Sequence, residues 1–257
     1  MVRLICLLIG YAFGLIQMAF ILGKAYRIDI RKSGSGNSGT TNALRVLGWK
    51  AGLITFVGDV LKCILAVVLV RWLYADSANL HVLAMYTGLG VTLGHNFPFY
   101  MKFKGGKGIA VLAGVVISLA IYTTPWFIVI PLFVFASAAA LTRYISLGSL
   151  QIAAVFFLLV MLYGQKGGFA MSPMDNLEIY IIAFVLAALA WFRHRANIVR
   201  LWKGTENKFG SKNKEEPVIE DGMIGEDVIK KHRQEHHAHS LSEGQQNSAG
   251  IEGTLEG

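Results

Sequence analysis

Charge is what this chain has least of. Of its 257 residues, 16% are Asp, Glu, Lys or Arg, against about 25% in an average soluble domain. Hydrophobic side chains make up 54%, and mean hydropathy is +0.51. That balance excludes an ordinary water-soluble globule and points to lipid as the solvent. Acids are scarcest: residues 1–202 hold five (Asp29, Asp59, Asp76, Asp175 and Glu178) against seventeen Lys and Arg, a net +12. Residues 203–257 hold seven bases and eleven acids, a net −4. Cysteine is nearly absent. Cys6 and Cys63 fall inside apolar runs, so no disulfide framework is implied and both read as small buried hydrophobes. The apolar N-terminal run lacks a small-x-small cleavage site and is too long for a signal-peptide core, so it reads as a retained helix.

Present instead are long apolar runs. Helices of about 20 residues cross a bilayer, and on that rule the chain is an all-α, polytopic membrane protein with about seven transmembrane helices. The runs fall at 2–23, 51–74, 80–97, 109–122, 126–141, 145–163 and 179–192. Pro125 separates the fourth from the fifth, Arg143-Tyr144 the fifth from the sixth, and Gly164–Asn176 the sixth from the seventh. An odd count gathers the bases on one side. Lys24, Arg27, Arg31, Lys32, Arg45, Lys50, Lys102, Lys104, Lys107, Arg143, Arg193, Arg195 and Arg200 share that side, with only Arg3, Arg71 and Lys166 opposite. The positive-inside rule then makes the basic face cytoplasmic and the N-terminus external.

Beyond Lys203 the hydrophobic pattern stops. The tail is rich in Glu, Lys, Gly, Ser and Gln and cannot bury enough apolar surface to fold alone. Its cluster His232, His236, His237, His239 has a spacing that suits a transition metal, but no cysteine or scaffold accompanies it, so incidental solvated histidines are the preferred reading.

Three polar segments carry the chemistry. The first is Ser33-Gly34-Ser35-Gly36-Asn37-Ser38-Gly39-Thr40-Thr41-Asn42, followed by Arg45. Its glycines permit positive φ, which lets successive backbone N–H groups converge on an anion, and Arg45 offers a fork suited to phosphate. A flexible connector is the other reading. The second is Gly94-His95-Asn96-Phe97-Pro98-Phe99, then Lys102-Phe103-Lys104-Gly105-Gly106-Lys107-Gly108. It is not a Walker A loop, because Gly108 rather than Ser or Thr follows Lys107. Lysines interleaved with aromatics suit a headgroup-level surface; they also serve as plain topology determinants. Because the basic patches lie between membrane runs, nucleic acid is a poor partner for them. The third segment, Arg193-His194-Arg195-Ala196-Asn197-Ile198-Val199-Arg200-Leu201, puts a histidine and an amide three residues apart, on one side of a helix, where they can bind polyol hydroxyls. At membrane depth, Asp59 and Lys62 are spaced i, i+3 and read as a mutually neutralising pair that anchors the loops.

Together these segments resemble the membrane acyltransferases that move an acyl chain from acyl phosphate to glycerol 3-phosphate. The resemblance is carried by Ser35-Gly36-Asn37-x-Gly39-x-Thr41-Asn42, by Gly94-His95-x-Phe97-Pro98 with Phe103–Gly108, and by His194-x-x-Asn197 with Arg200-Leu201, in that order. Asp59-x-x-Lys62 and Arg143-Tyr144-Ile145-Ser146-Leu147 add to it. It covers residues 1–206, leaving 207–257 as a hydrophilic, disordered tail.

The resemblance implies a multi-pass enzyme of the bacterial inner membrane that makes 1-acyl-glycerol 3-phosphate in phospholipid biosynthesis. It implies no cofactor and no metal, and a partner enzyme that supplies acyl phosphate. Carried over, the amides around Ser35, Gly36, Asn37, Gly39, Thr41 and Asn42 hold the acyl-phosphate phosphate. Arg45 and Lys104 clamp glycerol 3-phosphate, with His95, Gly105, Gly106 and Lys107 lining the site and Ser146 and Ser149 as further phosphate contacts. His194 and Asn197 position the glycerol hydroxyls, and Ser35, Lys104, His194 and Asn197 are the expected catalytic set. A His-x4-Asp dyad is absent: Tyr86, Tyr100 and Val199 stand five residues after His81, His95 and His194. The proton therefore goes to a histidine or to acyl-phosphate oxygen, with cations stabilising developing charge. The rival class is a transporter of an anionic small molecule, which needs a polar midplane path and often repeated halves. Only Asp59 and Lys62 lie at that depth, and no repeat is visible.

Overall fold

The computed structural model describes residues 1–210, and every regular element among them is helical. Each of the seven apolar runs is a helix, but the first is in two pieces: α1 (Val2–Gly14) and α2 (Met18–Ala25). Then come α3 (Thr40–Leu47), α4 (Trp49–Leu73), α5 (Leu80–Asn96), a 3-10 turn at Phe99–Met101, α6 (Ile109–Ile121), α7 (Trp126–Thr142), α8 (Ile145–Gln165), α9 (Pro173–Arg193) and α10 (Arg195–Trp202). The segment 2–25, α4, α8 and α9 are long and apolar enough to cross a membrane. α6, with 13 residues, rises only about 20 Å at 1.5 Å per residue, less than a hydrocarbon core of about 30 Å. Outward-facing Leu65, Trp72, Leu132, Phe133, Leu158 and Phe184 are exposed, as lipid-facing positions are.

Three departures from the sequence reading have local causes. The polar stretch 24–50 contains α3, an amphipathic helix that buries Ala43, Val46 and Leu47 against Ala19, Ile30 and Ala51. Gly48, at φ 90, ends it and starts α4 at once. The seventh run begins at Pro173 rather than 179, because the Ser172 side chain caps the helix by accepting the Asp175 N–H and proline occupies the first turn. The first run breaks at Leu15–Gln17, and side chains supply what the broken ladder lacks. Gln17 Nε2 donates to Gly14 O (3.1 Å) and His95 O (3.0 Å), Tyr100 Oη to Leu15 O (2.6 Å), and Lys62 Nζ to Ile16 O (2.6 Å).

The core lies between α4, α5, α6, α8 and α9, around Cys63, Met85, Val115, Phe156, Ile182 and Leu186. Cys6 and Cys63 are free and buried, as their apolar context implied. α1 and α5 lie backbone to backbone across Gly10, Gly14, Gly90 and Gly94. A Cβ added at Gly10 would meet Thr87 O at 2.1 Å, and one at Gly90 would meet Leu7 O at 2.1 Å. The paired Gly-x3-Gly spacings allow this approach between helices. On α4, Asp59 and Lys62 form a buried ion pair of 2.7 Å, the pairing expected from their spacing. Residues 203–210 return over the end of α7, where Phe209 N–H donates to Arg143 O and the Arg143 guanidinium to Phe209 O. The rest of the tail, with its histidine cluster, lies outside the described residues.

Candidate active site

The second and third segments meet at the end of the bundle where α5, α6, α9 and α10 converge. The chain leaves α5, turns at Pro98, and folds back so that Gly105 N–H donates to Asn96 O and Gly106 N–H to His95 O, each at 3.1 Å. Arg193, at the end of α9, binds the other side of this turn: Nη2 donates to Gly105 O (2.9 Å) and Nε to Gly106 O (3.1 Å). From sequence Arg193 reads as an orientation signal; it is also the clamp that holds the glycine turn.

With the turn fixed, Lys107 points at α10. Its Nζ donates to Asn197 Oδ1 at 2.5 Å, the Asn197 Nδ2 donates to Glu206 Oε1 at 2.7 Å, and Arg200 Nε donates to Glu206 Oε2 at 2.7 Å. Glu206 reaches this position because Gly204, at φ 67, turns the chain back over α10, with Thr205 N–H bonded to Arg200 O. The Glu206 side chain is 7% exposed. Sequence reasoning missed it by leaving it at the edge of the tail, although an acid set just past a glycine among Arg200, Lys203 and Lys208 was the available signal.

His194 sits at the junction of α9 and α10 and is 3% exposed. Its Nδ1 lies 2.7 Å from Ala190 O. A carbonyl only accepts, so Nδ1 carries the proton and Nε2 presents a lone pair. Burial, then the neighbouring Lys107 charge, push the His194 imidazole down to about 4, leaving it neutral at physiological pH. Burial lowers Lys107 to about 8; Glu206 opposes the shift, while Arg200, Arg193 and Arg45 add to it. A neutral base and a weakened cation therefore stand side by side, the arrangement that suits proton removal beside developing negative charge.

The first segment approaches from α3, and Arg45 is near enough to Lys107 to disturb it electrostatically. Much of its expected phosphate cradle is already engaged within the loop. Ser35 N–H donates to Asn42 Oδ1 (2.8 Å), Gly36 N–H to Ser33 O (3.1 Å) and Gly39 N–H to Asn37 O (2.9 Å). Asn42 also donates to Ile30 O and Ser33 O, so its buried amide pins the loop together. At the first turn of α3, the buried hydroxyls of Ser38 and Thr40 have no hydrogen-bond partner among the described residues. Exposed here are Ser35, Gly36 and Thr41, while Lys104 is exposed on the second loop. Arg31 holds the Asp29 carboxyl below its ordinary range by donating to it, which fixes the entry to the loop.

His95 is brought to the site but buried beneath it, 2% exposed. Ser146 and Ser149, in the first turns of α8, are buried as well; Ser149 Oγ donates to Ile145 O, and Ser146 Oγ has no partner among the described residues.

Comparison with known proteins accords with this geometry. Residues 4–204 match the family described as glycerol-3-phosphate acyltransferase. The glycerol-3-phosphate acyltransferase of Thermoanaerobacter pseudethanolicus is 42% identical over 206 residues, spanning 80% of this chain and 94% of the relative. That of Geotalea daltonii is 38% identical over 206 residues, spanning 80% and 97%. Among solved structures, PlsY, an integral membrane glycerol 3-phosphate acyltransferase, superposes in its glycerol 3-phosphate form with a TM-score of 0.69 at 32% identity, covering 81% of this chain and 96% of that one. Its lysophosphatidic acid form gives 0.67 at 31% identity, covering 81% and 95%.

Proposed function

The chain belongs to the glycerol-3-phosphate acyltransferase family, and on that premise we propose the full reaction: an acyl chain passes from acyl phosphate to a hydroxyl of glycerol 3-phosphate, giving 1-acyl-glycerol 3-phosphate and inorganic phosphate. The hydroxyl oxygen attacks the acyl carbonyl carbon, the bond from that carbon to the phosphate oxygen breaks, and phosphate departs. The hydroxyl proton goes to the Nε2 lone pair of His194. Lys107, with Arg45 and Lys104, balances the charge of the phosphates and of the carbonyl oxygen as it becomes an alkoxide. Phosphate is a good leaving group, so no protein acid is required.

The observation that supports this reading most directly is the Lys107–Asn197 hydrogen bond beside a neutral His194. It ties the glycine-rich cationic turn to the segment bearing the base, and both substrates bring a phosphate. Asn197 holds Lys107 and retains one Nδ2 hydrogen for a glycerol hydroxyl. The buried hydroxyls of Ser38 and Thr40 and the first-turn amides of α3 suit the acyl-phosphate phosphate, with Ser35, Gly36, Asn37, Gly39 and Thr41 shaping that loop. Ser146 is a further phosphate contact. The site faces the cytoplasm of a bacterial inner membrane in a seven-span arrangement, where a partner enzyme supplies the acyl phosphate.

The test is turnover of purified protein with acyl phosphate and labelled glycerol 3-phosphate. Lysophosphatidic acid and phosphate are expected in equal amounts, with Arg45→Ala and Lys104→Ala each reducing kcat/KM by tenfold or more. Uptake of glycerol 3-phosphate into liposomes without an acylated product would replace the enzyme with a transporter.

A further inference from the structure

Asp59 and Lys62 stand one turn apart on the inner face of α4, 1% and 3% exposed. As loop anchors they need only each other. Lys62 does more: besides its 2.7 Å ion pair with Asp59 Oδ1, its ammonium donates to Ile16 O at 2.6 Å and to His95 Nδ1 at 2.9 Å. The partner carboxylate also takes the Met18 backbone N–H. The pair thus serves both sides of the interruption between α1 and α2, the carboxylate the start of α2 and the ammonium a carbonyl just before it.

The third bond is directed elsewhere. An ammonium only donates, so His95 Nδ1 accepts and its proton resides on Nε2. This opposite edge of the ring presses against the glycine turn: a Cβ at Gly106 would lie 2.1 Å from His95 Nε2. The backbone carbonyl of His95 receives Gly106 N–H, and that of Asn96 receives Gly105 N–H. The ring therefore forms the floor on which Gly106 lies, and the next residue is Lys107. Arg193 holds the same turn from above through the carbonyls of Gly105 and Gly106.

We propose that Asp59, Lys62 and His95 are positioning residues for the acyl-transfer reaction, a buried strut that runs from α4 through the His95 ring to the Gly105–Gly106 turn and sets where Lys107 stands. The inference deepens the proposed function and depends on it. In this assignment His95 touches no substrate, which replaces its expected role as a binding residue. A buried ion pair kept for stability alone can often be replaced by apolar residues of similar volume without loss of activity; a pair that orients a histidine under the site cannot.

The experiment compares kcat/KM, its pH dependence and thermal unfolding for the parent, the Asp59→Leu/Lys62→Met double variant, Gly106→Ala, and Gly106→Ala combined with His95→Ala. The double variant leaves Ile16 O and the Met18 N–H without these partners and is expected to unfold clearly below the parent, yet at temperatures where it stays folded to lose tenfold or more in kcat/KM. Its alkaline limb is expected to move upward as Lys107 loosens from its buried place. A folded double variant with parental kcat/KM and an unmoved limb would overturn the strut. Should the double variant not fold, the glycine pair decides. Gly106→Ala leaves α4 and the helix interruption untouched and is expected to lose activity by collision with the ring. Removing the ring by His95→Ala opens that space to the new methyl and is expected to restore part of the loss, whereas a substrate-touching histidine would make the combined variant worse than Gly106→Ala. A parent protein that forms no lysophosphatidic acid would instead overturn the reaction itself, so the two failures are distinct.

Discussion

Lys107 and Asn197, ninety residues apart in the chain, are joined by a hydrogen bond of 2.5 Å, and the Asn197 amide passes that contact on to Glu206. Asn197 is 6% exposed, so truncating it strands the Lys107 ammonium and leaves Glu206 with Arg200 as its partner. Hydrogen bonds to charged groups are worth about 1.5–3 kcal/mol. Asn197→Ala is accordingly expected to lower kcat/KM by about 10- to 100-fold, read from initial rates with both substrates varied. Glu206→Gln keeps a partner for Asn197 but removes the charge facing Arg200, and a smaller loss is expected.

The pH profile follows from the same cluster. His194 is depressed to about 4, so a base there is unprotonated throughout the neutral range and gives no acidic limb near the ordinary histidine value of about 6.5. Lys107 is lowered to about 8; its charge is present below that pH and is lost as pH rises through it. The expected kcat/KM profile is flat through neutrality and falls above about 8. Lys107→Met is expected to be slow and to lack that fall.

The helix interruption gives a graded test. Gln17 is fully buried and serves Gly14 O and His95 O, whereas the Tyr100 hydroxyl serves Leu15 O at an exposed position. Gln17→Leu takes this donor from Gly14 O, while His95 O keeps the Gly106 N–H; an unpaired buried acceptor costs about 1–3 kcal/mol. Thermal unfolding in one detergent is expected to drop clearly for Gln17→Leu and only slightly for Tyr100→Phe.

The contact between α1 and α5 supplies a third stability test. Added methyl groups at Gly10 or Gly94 would meet backbone oxygens at 2.1 and 2.3 Å, and backbone does not swing aside as a side-chain end does. Overpacking of this kind costs about 1–3 kcal/mol. Gly10→Ala and Gly94→Ala are each expected to unfold earlier than the parent, while Gly52→Ala, which meets the Leu44 side chain as well as its Cα, is expected to suffer less.

Hydropathy made the seven apolar helices legible, because apolar runs near bilayer length carry a signal that turns and loops do not. It hid the interruption at Leu15–Gln17, where the run stays apolar and the break is stabilised by Gln17, Lys62 and Tyr100 from across the fold. α3 was missed because eight residues give little average hydrophobicity, although Ala43, Val46 and Leu47 between Gly39 and Gly48 were an amphipathic helix in outline. The Ser172-Pro173-x-Asp175 start of α9 is written in the residues, but Asp175, Asn176 and Glu178 keep the apolar run from reaching back to it. At the site, segment order singled out loops that the fold brings towards one end of the bundle. It did not convey which polar atoms engage each other, as Asn42 and His95 illustrate: the buried amide holds its own loop's backbone, and the buried imidazole lies against Lys62.

Two helices whose main chains touch at Gly10, Gly14, Gly90 and Gly94 leave no slot between them for a hydrocarbon tail. In the proposed reaction, a fatty chain travelling from the bilayer interior to His194 must slip in along another seam of the bundle. The wall formed by α1 and α5 is shut along these glycines, and the doorway lies elsewhere.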